Sequence, residues 1–154
     1  METVKRVGLD TNIFIGIFLE EKEKLEPSLA ILKLISEGVL EGVVSIISLI
    51  EVAILFCQKQ ENQKGRRAIE FIKALPNTII VDITTDMVLD VATMKVSEKL
   101  SIADAVVLSA STALSSDAFL TYDDDFAKVK KIQCMKPEDY LKKLKEEKRK
   151  SSLH

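Results

Sequence analysis

The chain has 154 residues, 47% of them apolar and 30% charged, with a net charge of −2. That length suits one domain, and the apolar content supports a core and excludes a disordered chain. No apolar run reaches the ~18 residues of a membrane span, and a nearly neutral total excludes global electrostatic attraction to nucleic acid.

Residues 4–9 form a strand, and the short start before it lacks the basic and apolar stretches of a secretory signal. Residues 11–19 are a helix, followed by a charged connection over 20–24. Pro27 suits a first helical position, and Leu29, Ile31, Leu32, Ile35 and Val39 mark an amphipathic helix ending near Gly38. Residues 42–45 are a second strand, after which Ser45 or Ser48 caps an apolar helix reaching about Gln60. A helix over 65–75 stops at Pro76-Asn77. The β-branched segment 78–83 is a third strand. Thr84 or Thr85 caps a helix to about Leu100, and Ser101 caps the next, over 102–114. Residues 118–121 and 132–135 are the last strands, and Pro137 opens a final helix over about 138–148. Strands separated by helices predict a three-layer α/β fold with a central, mostly parallel five-stranded sheet and right-handed crossovers.

Residues 1–141 read as one domain and residues 142–154 as a basic tail, a helix end and then a disordered terminus. The stretch 142–150 holds six basic and two acidic residues. It reads either as a solvated helix end or as a phosphate-binding arm. Cys57 and Cys134 form no motif and read as buried free thiols. The whole reads as a soluble, cytoplasmic chain.

Several carboxylates stand where this pattern brings them toward one place. Asp10 ends the run Val7-Gly8-Leu9 and Asp123 follows Ala118-Phe119-Leu120. The carboxyl ends of parallel strands form the ligand crevice of such sheets. Asp104 lies in the first turn of an apolar helix. Each acid also has a structural alternative. Asp10-Thr11-Asn12 suits an N-cap at a strand-to-helix junction. Glu51 lies in the apolar stretch 46–56 with Ile47, Ile54 and Leu55 on its face. That helix reads as buried nearly all round, where an unpaired charge is costly. Ser48-Ile-Leu-Glu51 is a capping box if the helix starts at Ser48. Ser101-Ile-Ala-Asp104 is a cap pattern too, which is compatible with holding a ligand. Thr121-Tyr-Asp-Asp-Asp-Phe126 is either a solvated turn or a loop anchored by Phe126, with Asp125 as a second ligand or an outer group. Acids in one crevice, with the single histidine at His154, suit a hard divalent cation.

Asp10-Thr-Asn after a first strand, Glu51 in the third helix, Asp104 opening a later helix and Thr121-x-Asp123-x-Asp125-Phe126 together resemble the PIN domain. This is the nuclease fold of VapC-type toxins and of several RNA-processing nucleases. Lys136-Pro-Glu-Asp-Tyr-Leu141 resembles the family's usual end, so the resemblance spans about 4–141. It implies a five-stranded parallel sheet, a Mg²⁺- or Mn²⁺-dependent ribonuclease and a homodimer, with an antitoxin protein as a further partner if the chain is a toxin. There are two departures from the pattern. No glycine precedes the Asp104 helix, and Asp124 stands where many members carry a basic residue.

On this reading the catalytic residues are Asp10, Glu51, Asp104 and Asp123, and the metal ligands Asp10, Asp104, Asp123 and Asp125. Crowded carboxylates repel and take up protons unless a cation relieves them. A bound divalent ion lowers the pKa of its water and polarises the scissile phosphate. Glu51 binds metal or orients the water, while Asn12 and Thr121 support the ligand carboxylates. Arg66, Arg67, Lys142 and Lys143 are the candidate RNA contacts. The alternative is a PIN-like module that binds RNA or protein without cutting. A haloacid dehalogenase-type phosphotransferase is disfavoured by Asn12, where a second Asp belongs, and a receiver domain by the lone acid after the first strand. Surplus apolar side chains at Ile13, Phe14, Ile17, Phe18 and 46–56 suit a dimer face, an antitoxin groove or ordinary core.

Overall fold

The computed structural model describes residues 3–153; Met1 and Glu2 of the start and His154 of the tail lie outside the described residues. Five strands form one sheet: β1 Lys5–Leu9, β2 Leu40–Ser45, β3 Thr78–Val81, β4 Ala118–Leu120 and β5 Cys134–Met135. Their order is β3-β2-β1-β4-β5 and every neighbouring pair is parallel. The chain therefore winds outward from β1 through β2 to β3, then restarts on the other side of β1 with β4 and β5. Such a reversal is the switch point where open α/β sheets bind ligands, and here it lies between β1 and β4.

Among the described residues seven α-helices complete the fold: α1 Thr11–Phe18, α2 Leu25–Ser36, α3 Ile46–Gln58, α4 Asn62–Lys73, α5 Val88–Glu98, α6 Ile102–Ala113 and α7 Pro137–Ser152. Side chains alternate across a strand, and this sorts the core into two layers. Val7, Leu9, Leu40, Val44, Ala118 and Leu120 join one cluster with α1 to α4 and Tyr140 of α7. Phe119 points the other way, into a cluster built by α5, α6, Phe126 and Ile132. Gly8 also faces that side. A Cβ there would lie 2.7 Å from Cβ of Ser111 in α6 and closer still to its hydroxyl. The missing side chain lets α6 lie close on β1. Gly8→Ala should therefore lower stability by roughly 1–3 kcal/mol, the usual range for overpacking. Urea unfolding checks this, and an unchanged midpoint would show that α6 yields freely.

Some boundaries differ from expectation. α2 begins at Leu25, so Pro27 is its third residue, still within the turn whose N–H groups lack helical partners. The α3 cap is Ser45, whose hydroxyl accepts from Ile47 N–H at 3.2 Å. Ser48 then falls inside the helix, so it forms no capping box with Glu51. Nor is α3 buried all round: Ile50 and Ile54 are about half exposed. Cys57, in its last turn, is exposed, contrary to the buried thiol expected, while Cys134 is half-buried; both are free. No side chain caps α5; a 3-10 turn, Thr85–Met87, leads into it. α7 starts at Pro137 and continues to Ser152, through the expected division after residue 141 and beyond the expected end near Lys148. Among the described residues no helix is long and apolar enough to cross a membrane.

Candidate active site

The carboxyl ends of β1 and β4 meet through Asp10, whose N–H donates to Leu120 O at 3.0 Å and carries the ladder one residue past the strand. Asp10 then turns the chain into α1 and caps it, Oδ1 accepting from Thr11 N–H at 2.8 Å. The cap and the crevice roles thus use different oxygens. Oδ2 accepts from the hydroxyl of Thr121, the residue after β4, at 2.7 Å. Thr121 Oγ1 also accepts from Asp123 N–H at 2.9 Å and from Asn12 Nδ2 at 3.3 Å. Asn12 uses its other end too, Oδ1 accepting from Tyr122 N–H at 3.2 Å. One buried hydroxyl thereby joins Asp10, Asn12 and the Asp123 loop. Asp123 folds that loop further, its Oδ1 accepting from Asp125 N–H at 2.9 Å as the cap of the 3-10 turn Asp124–Phe126.

Asp10 is nearly buried, with 7% of its surface exposed. Burial raises its pKa to about 6, the hydrogen bonds from Thr121 and Thr11 oppose the rise, and the negative fields of Asp104 and Glu51 add to it. Glu51 is half-buried and is also raised, first by burial and then by Asp104, against the Thr11 hydroxyl. Thr11 is itself fixed by donating to Ser48 Oγ at 2.9 Å. Asp104 follows the cap of α6, its N–H donating to Ser101 Oγ at 3.1 Å. Burial raises Asp104, as do the fields of Asp123 and Asp125; Ser101 and the Lys128 ammonium oppose. Five acids from four separate places in the chain therefore act on one another across the end of the β1–β4 seam. Desolvation and like charge are how protein sites make carboxylates reluctant to ionise. As they stand, no three acidic, thiol or imidazole side chains among the described residues close on one point at chelating distance.

The basic candidates are placed differently. Arg66 and Arg67 are exposed on α4. Lys142 is exposed on α7, and Lys143 donates to Gln133 Oε1 at 3.0 Å, ahead of β5. Further along, Glu147 pairs with Lys5 at the start of β1. From there to Asp10 is five residues, about 16 Å at strand rise. α7 therefore runs from the crevice end of the sheet toward the strand starts, and carries its basic stretch away from the acids.

Residues 7–132 match the PIN domain family model. The chain belongs to the PIN domain family. No curated protein sequence matches it significantly. Among solved structures it is similar to VapBC2 of Rickettsia felis bound to a promoter DNA fragment, at 13% identity and a TM-score of 0.68, covering 84% of this chain and 96% of that one. It is also similar to a toxin–antitoxin complex from Klebsiella pneumoniae, at 20% identity and a TM-score of 0.63, covering 85% and 97%. A third is VapC20 of Mycobacterium tuberculosis, described as a sarcin–ricin loop cleaving toxin, at 13% identity and a TM-score of 0.62, covering 79% and 92%. At these identities the likeness is one of fold.

Two features of this PIN domain escaped the sequence. Tyr122 was a residue between two candidates. Its hydroxyl donates to Lys24 O at 3.0 Å and lies 2.7 Å from Ser28 Oγ, which ties the acid-bearing loop to the start of α2. Lys128 places a positive field on Asp104 that opposes the rise of its pKa. Its sequence neighbours Ala127, Val129, Lys130 and Lys131 give no signal that this lysine differs from the next two.

Proposed function

We propose that this PIN domain is a divalent-metal-dependent endoribonuclease, either the toxin of a toxin–antitoxin pair or an RNA-processing nuclease, acting in the cytoplasm. The carrying observation is Asp10 at the sheet's switch point, held by Thr121 and raised first by its burial and then by the fields of Asp104 and Glu51. The sarcin–ricin loop cleavage ascribed to VapC20 agrees with RNA as the substrate.

The donor set fits a hard divalent ion such as Mg²⁺ or Mn²⁺: it is all oxygen, and its carboxylates repel one another, which a cation relieves. Asp10, Asp104, Asp123 and Asp125 would hold the ion. When bound it supplies a water acidic enough to attack at neutral pH and positive charge beside the scissile phosphate. The chain's own groups do the rest. Thr121 keeps Asp10 ionised and aimed, Asn12 fixes Thr121, and Ser101 sets the first turn that presents Asp104. Glu51, with Thr11 beside it, holds the ion or orients the attacking water. Glu51→Gln separates these roles: retained Mn²⁺ affinity with lost cleavage assigns it to the water.

The deciding experiment incubates a mixed RNA pool with the pure protein in Mn²⁺, in EDTA, and as the Asp10→Asn, Asp104→Asn double variant. Cutting is expected in Mn²⁺ alone and lost in the variant. Cutting that persists in EDTA or in the variant would remove the four-carboxylate assignment. A second reading, a PIN module that binds RNA or protein without cutting, draws on the absence of three acids at chelating distance among the described residues. Metal binding without cleavage would favour it.

The partners proposed are RNA, a second copy of the chain and an antitoxin. The similar structures from Rickettsia felis and Klebsiella pneumoniae are toxin–antitoxin assemblies. Of the surplus apolar side chains, Ile13 and Phe14 are buried in the core, while Ile50 and Ile54 stay exposed. A further apolar groove, lined by Ile83, Met87, Val88, Val91, Ile102 and Val106, gives a protein partner a second surface.

A further inference from the structure

An acidic crevice repels the phosphates it is proposed to cut, so a cation beside it must offset that repulsion. The basic stretch of α7 runs away from the crevice, and Arg66 and Arg67 stand on α4, which packs on α3. Lys128 is placed otherwise. It follows Asp125 by three residues and Phe126 by two. The Phe126 ring is buried against Phe119, with centroids 5.0 Å apart, so the backbone of this loop is anchored. The Lys128 ammonium donates to Lys99 O at 2.7 Å. Lys99 is the left-handed residue, φ 55°, that ends α5, two residues before the Ser101 cap of α6. A second stitch follows, Lys130 N–H donating to Glu98 Oε2 at 3.1 Å. The ammonium is thus held between the loop of Asp123 and Asp125 and the turn that presents Asp104. It is exposed, and its partner is a neutral carbonyl, not a carboxylate. Its charge is therefore available, and its flexible stem lets it leave that carbonyl for a stronger acceptor.

We propose that Lys128 is a substrate-binding residue that contacts a non-bridging phosphate oxygen of single-stranded RNA as the backbone enters the crevice. The inference rests on the ribonuclease reading for the identity of the polyanion. Contacts to phosphate position a strand without reading its bases, so Lys128 should raise affinity for all sequences alike.

The test uses the full chain carrying Asp10→Asn and Asp104→Asn, so that bound RNA survives, and measures fluorescence anisotropy of a labelled single-stranded RNA across salt concentrations. Adding Lys128→Gln, which keeps a donor for Lys99 O but loses the charge, should weaken binding roughly 5- to 10-fold. It should also reduce the slope of log K against log salt by about 0.7, the contribution of one phosphate contact in a single strand. Lys128→Arg should restore both, and Lys73→Gln, at the exposed end of α4 beside Glu70, should change neither. Equal affinity and slope for Lys128→Gln, or equal losses for Lys73→Gln, would overturn the proposal. So would weakened binding with an unchanged slope, the mark of a merely structural role. Failure of the otherwise unaltered chain to cut RNA in Mn²⁺ would sink the ribonuclease reading alone, because the binding assay judges Lys128 without cleavage.

Discussion

Asp10→Asn should abolish RNA cleavage and, in EDTA at neutral pH, make the protein harder to unfold. The second effect follows from the first residue's environment. Asp10 has a folded pKa of about 6 against 3.8 for the free side chain, mainly because it is buried, with Asp104 and Glu51 adding negative field. A carboxyl raised on folding binds protons more tightly in the folded state, so stability falls as pH rises from 3.8 to 6 and stays lower above that. At 1.36 kcal/mol per unit, the cost of ionising Asp10 in place is at most about 3 kcal/mol at pH 7 and vanishes below its unfolded pKa. Asn carries no charge at any pH and escapes this cost. Its amide N–H meets Thr121 Oγ1, which already accepts from Asn12 and Asp123 N–H, so the gain should fall short of that ceiling. Urea unfolding in EDTA from pH 4 to 8 checks the prediction. The variant's advantage should grow between pH 4 and 6 and then level. An Asn variant that unfolds more easily at pH 7 would mean the carboxylate is a net stabiliser, against the burial argument.

Thr121→Val is the second large effect expected. Valine keeps the branched shape after β4 but removes the hydroxyl that donates to Asp10 Oδ2 and accepts from Asp123 N–H and Asn12 Nδ2. Thr121 is buried, so the groups it leaves cannot all turn to water. Leaving a buried polar group unpaired costs roughly 1–3 kcal/mol. Loss of a group that orients a ligand carboxylate typically lowers metal affinity or activity by about 10- to 100-fold. Asp10, without its strongest opposing hydrogen bond, should also titrate higher. Mn²⁺ affinity and the rate of RNA cleavage should fall together while the fold survives by circular dichroism. Both staying within twofold of the unaltered protein would show that Asp10 needs no support from β4. Thr121→Ser, which restores the hydroxyl, should recover most of the loss.

The five strands were legible because their apolar runs are short, β-branched or bounded by Gly, Pro and Ser. The parallel sheet followed from the helices between them. What the sequence could not carry was the order of strands, and so the adjacency of Asp10 and Thr121. The choice between Ser45 and Ser48 as the α3 cap was open because both serines precede apolar residues. It is decided by β2, which keeps extended backbone through Ser45 and so puts Ser48 inside the helix, against Thr11. Ile50 and Ile54 looked like core because composition records what a side chain prefers, not whether a neighbouring element arrives to cover it; Cys57 misled in the same way. Lys128 was invisible among similar lysines because its distinction lies in the left-handed turn at Lys99, 29 positions away.

The bond between Thr121 and Asp10 spans 111 positions of the chain, and the ribosome makes them in order. At about 5–20 residues per second, Thr121 is added on the order of ten seconds after Asp10. Throughout that interval Asp10, Glu51 and then Asp104 exist without the hydroxyl that holds the first of them or the loop that brings Asp123. β4, the innermost strand on its side of the sheet, is also nearly the last to be made. A copy cut short before residue 118 lacks β4, Thr121 and the Asp123 loop together, and so leaves Asp10 with no partner across the seam.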